Sequence, residues 1–93
     1  MTDFTISVLL HAATPNDYDR LHEVMDRFGL ERTIVGDDGV RYQMLPAEYN
    51  LEGSTANAKG VRDFLHQLLI QLQLRGDVFV TEAGDRSWSL HAA

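Results

Sequence analysis

The 93-residue chain contains no cysteine. That removes a disulfide framework, a thiolate nucleophile and any Cys-based zinc site, and it fits a reducing, cytoplasmic setting. Basic residues are also scarce: eight Lys and Arg stand against fourteen Asp and Glu, for a net charge of −6. The mean field therefore repels phosphate, whereas a nucleic-acid binder ordinarily displays a basic face. No stable DNA complex is expected, and any role with RNA needs a local group of arginines that outweighs the acidic background. No run approaches the roughly 18 apolar residues of a membrane span. The opening MTDFTISVLL carries an acid where a secretory leader carries Lys or Arg. A cytoplasmic protein without a membrane partner is the expectation.

Known motifs are missing as well. There is no Gly-x-Gly-x-x-Gly or Walker pattern, no Gly-x-Ser-x-Gly elbow, and no strand of interleaved glycine and aromatics of the kind that stacks RNA bases. No two histidines have the His-x-x-x-His spacing of a metal pair on a helix. No metal site and no cofactor are expected.

What is present is a strong alternation of periodicities. The longest apolar pattern is Thr55 to Leu74, in which Val61, Phe64, Leu65, Leu68, Leu69 and Leu72 recur at helical spacing. Ser54 or Thr55 offers an N-cap hydroxyl, and Gly76 offers a left-handed stop. Upstream, Phe4, Ile6, Val8 and Leu10 alternate with polar residues, as in a half-buried strand over about residues 3–11. Thr14-Pro15-Asn16-Asp17 reads as a capping box with proline at the first helical position. It opens a helix whose buried stripe is Tyr18, Leu21, Met25 and Phe28, with Val24 beside it, and Gly29 closes that helix. Residues 31–35 and 40–45 form a hairpin around the turn Gly36-Asp37-Asp38-Gly39. Pro46 interrupts pairing, and AEYNLEGS continues either as a further strand or as an irregular approach to the long helix. DVFVTE (77–82) is a strand, and SWSLH (87–91) a short last one.

The order is β-α-β-β-α-β with a short extra C-terminal strand, in a single α+β domain over residues 1–93. The economical arrangement is a ferredoxin-like plait, an antiparallel sheet with both helices on one face. Such a plait leaves a sheet face and strand edges uncovered, so a homodimer is expected. Either the terminal strand with Trp88 and Leu90 contributes to it, or Trp88 folds over its own sheet.

Among candidate groups, His11 ends the first strand, His22 lies on the first helix, His66 points away from the apolar stripe of the second, and His91 is near the terminus. The paired Asp37 and Asp38 fall in a hairpin turn, where aspartate serves the backbone.

The run VMDRFGLERTIVGDDGVRYQML (24–45), followed by a helix opening of AxAxxVRDFL type, resembles the GhoS family. These are small antitoxins of type V toxin–antitoxin systems, ferredoxin-like and similar in fold to CRISPR adaptation nucleases and VapD-type RNases. The resemblance implies an endoribonuclease that silences a toxin by cutting its mRNA, with Arg20 and His22 at the catalytic positions. Residues two apart on a helix diverge, so help in holding the RNA is expected from a dimer-related copy or from Arg41 on the neighbouring strand. Histidine titrates near neutrality and can take the 2′-hydroxyl proton, while arginine can hold the phosphate. The CRISPR-type relatives bind a metal through an aspartate at the end of the first strand. Here that position reads Leu10-His11-Ala12, so the implied chemistry is metal-independent. The alternative is a non-catalytic dimeric module whose open sheet or edge binds a protein partner or a small ligand.

Overall fold

The structure, a computed structural model describing residues 1–93, has the element order β1 (Thr2–Leu10), α1 (Pro15–Arg27), β2 (Thr33–Val35), β3 (Arg41–Gln43), β4 (Glu48–Ser54), α2 (Ala58–Gln71) and β5 (Gly76–Glu82). β1 is the centre of a three-stranded antiparallel sheet, order β4-β1-β5, while β2 and β3 form a separate two-stranded hairpin. The two are joined by an isolated bridge between Glu31 and Asn50, whose amides and carbonyls exchange bonds of 2.9 and 2.7 Å. This is an α+β arrangement compatible with the expected plait.

The alternation in β1 determines which face is covered. Phe4, Ile6, Val8 and Leu10 are buried in one cluster with Leu21 and Met25 of α1, Val61, Leu65, Leu68 and Leu69 of α2, and Tyr49 of β4. Both helices therefore pack on the same side of the sheet. Residues of the opposite parity, Thr5, Ser7 and Leu9, face the other side, where Leu9 is 60% and Phe79 of β5 is 71% exposed. At roughly 25 cal/mol per Å² of apolar surface, each fully buried Leu, Ile or Phe contributes about 1.5–3 kcal/mol, so this cluster dominates the stability.

The capping box at α1 is present in full: Thr14 Oγ1 accepts from the Asp17 amide at 3.3 Å, and Asp17 Oδ2 accepts from the Thr14 amide at 3.0 Å. Four local expectations need correction. First, α2 is capped not by Ser54 or Thr55 but by Asn57, whose Oδ1 accepts from the Gly60 amide at 2.8 Å. Second, Gly76 does not end α2; it opens β5, and the left-handed residue after the helix is Gln73, at φ 58°. Third, Phe28 and Phe64 leave the buried stripes: they are 52% and 41% exposed and pack edge-to-face on each other, centroids 5.0 Å apart. Fourth, residues 87–91 form no strand. The chain there is held by side chains, with the Trp88 ring against Tyr42 at 6.2 Å, and its backbone joins β3 only at the very end, where the Gln43 amide donates to His91 and Ala93 donates to Arg41. Trp88 is thus engaged with its own hairpin. After Pro46 the chain does return to a strand, β4, because Tyr49 and the partly buried Leu51 reach the core face.

Candidate functional site

His22 lies half-buried on α1, one turn after Tyr18, and its ring stands between two tyrosines, with centroids 6.2 Å from Tyr18 and 5.7 Å from Tyr49. The Nδ1 atom is 2.6 Å from the Tyr49 hydroxyl. Tyr49 is completely buried, and burial raises the pKa of its phenol, so the hydroxyl stays protonated at neutral pH. Burial also lowers the His22 pKa from its ordinary 6.5, and the nearby Arg32 charge lowers it further against the opposing pull of Asp19. The imidazole is therefore neutral at pH 7, with Nδ1 engaged by Tyr49 and Nε2 free for a ligand.

The cleft beside this ring has a volume of about 540 Å³ and is lined by His22, Glu23, Asp26, Leu30, Glu31, Arg32, Thr33 and Arg41. It forms because α1 ends at the Leu30 turn and the chain passes at once into the β2–β3 hairpin, so that Arg32 and Arg41 stand across from His22. Arg41 Nη1 donates to Thr33 Oγ1 at 2.7 Å and pairs with Glu31 at 3.3 Å. Glu23 is taken by Arg27 at 2.7 Å. Arg32 has neither an ion-pair nor a hydrogen-bond partner for its guanidinium, which is exposed yet close enough to act on both His22 and Tyr49. The cleft thus pairs a neutral imidazole with one committed and one free guanidinium.

Two of the residues singled out from sequence, His22 and Arg41, share this cleft. Arg20 does not line it. Its Nη2 donates to the Leu72 carbonyl at 3.3 Å and approaches Asp17 at 3.5 Å, so it sits over the carboxyl end of α2, where the helix dipole favours a cation. Two residues apart on a helix, Arg20 and His22 diverge. The sequence reading missed Arg32 and Tyr49. Tyr49 was legible only once Glu48–Ser54 was known to be a strand, and Arg32 only once the hairpin was known to fold back towards α1. His11 pairs instead with Asp77 across the sheet at 3.0 Å.

A second, shallower cleft of about 660 Å³ gathers Asp37, Asp38, Tyr42, Glu52, Asp85, Arg86 and Trp88. Asp38 there serves the turn, accepting from the Val40 amide at 2.9 Å and from the Tyr42 hydroxyl. No three His, Asp or Glu side chains converge as a metal set anywhere in the molecule, and no helix is long and apolar enough to cross a membrane. Compared with models of known protein families and with curated protein sequences, the chain matches none.

Proposed function

We propose that this chain is a ferredoxin-like, GhoS-type antitoxin that cleaves toxin mRNA without a metal, and that the cleft between α1 and the hairpin is where it does so. One observation carries the reading: the His22 imidazole, its Nδ1 engaged by Tyr49 and its Nε2 unbonded, stands in one cleft with the guanidinium groups of Arg32 and Arg41. In the reaction, His22 Nε2 takes the proton of the ribose 2′-hydroxyl in the tautomer whose Nδ1–H donates to the Tyr49 oxygen. The 2′-oxygen attacks phosphorus, the 5′-oxygen leaves and is protonated by water, and a cyclic 2′,3′-phosphate remains. Arg32 and Arg41 balance the charge that grows on the phosphoryl oxygens. Arg20 lies outside the cleft, so any share it has in the site must come through RNA reaching over the end of α2.

A mixed RNA pool incubated with the purified chain in EDTA tests this. Cleavage should persist in chelator and fall at least about tenfold, a loss of roughly 1.4 kcal/mol of transition-state stabilisation, in His22→Gln, Arg32→Ala and Arg41→Ala. Arg20→Ala measures the share of the α2 end. Equal cleavage by every variant would remove the site.

The second reading, a non-catalytic module that binds a partner through its sheet, is favoured by a different observation. The outer edge of β5 is unpaired and Phe79 projects beside it, on a protein of net charge −6. A folded wild type that leaves RNA intact would select that reading.

A further inference from the structure

The open edge of β5 has a self-complementary pattern. β5 bonds only to β1, and no other segment covers its outer side. The His11 amide donates to the Arg75 carbonyl at 2.7 Å and the Ala83 amide to Asp3 at 2.8 Å. With the register Thr5–Thr81, Ser7–Phe79 and Leu9–Asp77, these bonds set the phase of the ladder: the odd-numbered residues of β5 face β1. The amides and carbonyls of Gly76, Val78, Val80 and Glu82 consequently point outward, without partners. Seven residues of unpaired edge are a template for another strand.

We propose that a second copy of this chain occupies that edge, β5 against β5, antiparallel, with Phe79 on the two-fold axis. That register alone uses the whole strand in the right phase. Val78 then exchanges both bonds with Val80 of the second copy, and Gly76 with Glu82. Phe79 meets its own copy in a non-hydrogen-bonded pair, where Cα atoms approach to about 4.5 Å and side chains are closest. The acids are kept apart: Asp77 lies opposite Thr81, and Glu82 opposite glycine. On one face the contact covers Phe79, 71% exposed in the single chain. On the other it extends the core, because the half-buried Val78 and Val80 at its margin gain apolar neighbours. A two-fold pairing of this kind closes on itself and uses up the edge, leaving no site for a third chain.

The absence of cysteine makes the geometry directly testable. Sedimentation equilibrium should give wild type twice the chain mass of 10.5 kDa. Phe79→Glu, at an exposed position, should keep its circular dichroism and weaken dimerisation at least about tenfold. Under mild oxidation Phe79→Cys should form a disulfide-linked dimer, since about 4.5 Å between Cα atoms lies within the range of a disulfide. Thr81→Cys, placed opposite Asp77, should not. A monomeric wild type at every accessible concentration, a dimer unaffected by Phe79→Glu, or cross-linking at Thr81 as efficient as at Phe79 would each overturn the proposal.

Discussion

His22 is the residue whose environment makes the most specific demand. Its folded pKa lies below 6.5, chiefly through burial, with Arg32 adding to the effect. Above pH 6.5 the ring is neutral in both folded and unfolded chains and its burial carries no proton cost. As pH falls through 6.5 the unfolded chain takes up the proton first, so stability drops until the pH has passed the lower folded value. Urea denaturation of wild type between pH 7.5 and about 5 should show this loss, and His22→Gln should show less of it. NMR titration of the His22 ring should give a midpoint below that of a model imidazole. A midpoint above it would mean that the ring is held by a carboxylate and is not the free base that the cleft reaction requires.

At the scale of single elements, the two helices end in the same way with different residues. After α1, the Gly29 and Leu30 amides donate back to Asp26 and Met25; after α2, the Gln73 and Leu74 amides donate back to Ile70 and Leu69. Both are Schellman closures with a left-handed C′ residue, Gly29 at φ 78° and Gln73 at φ 58°. Gln73 pays a left-handed penalty of about 1 kcal/mol that glycine does not. Gln73→Gly should therefore raise stability by a few tenths to about 1 kcal/mol, measured as a shift of the urea midpoint at unchanged slope. No change, or a loss, would show that the larger unfolded-state entropy of glycine offsets the relief. The same pair explains what the sequence could reveal. Gly29 and the Thr14–Asp17 box are local signals and gave α1 its ends. Gln73 carries no such signal, and the first residue after the helix that does is Gly76. That glycine has a tertiary reason instead: a Cβ there would lie 2.6 Å from the Leu9 carbonyl oxygen. The site divides in the same way. Periodicity located His22 on its helix, whereas the convergence of Arg32, Arg41 and Tyr49 on it depends on how the hairpin leaves the sheet, which no local pattern encodes.

For the molecule as a whole, the question is what holds the β2–β3 hairpin, and with it one wall of the cleft, to the three-stranded sheet. Backbone pairing supplies only the Glu31–Asn50 bridge. Ile34 of β2 and Met44 just after β3 are buried, and Arg86 adds a hydrogen-bonded tie. Its Nη1 donates to Thr5 Oγ1 at 3.1 Å and to Asn50 Oδ1 at 2.8 Å, fixing the C-terminal segment against the face of the sheet opposite the helices. From there the chain runs past Trp88 and Tyr42 to pair with β3. Asn50 is 3% exposed, and its amide nitrogen is already spent on Glu52 at 2.9 Å. Arg86→Ala would leave Asn50 Oδ1 buried without a donor, at a cost of about 1–3 kcal/mol. The loss should also be uneven. Amide exchange of Gly36, Gln43 and Ala93, which bond within the hairpin and tail, should accelerate more than that of Ile6 and Phe79 in the sheet, because local opening of the weakly tied unit becomes easier. Uniform acceleration would mean that hairpin and sheet open together and that Arg86 is one stabilising contact among many. Selective acceleration, accompanied by a fall in any activity of the His22 cleft, would identify the tail as the strap that keeps Arg32 and Arg41 facing the imidazole.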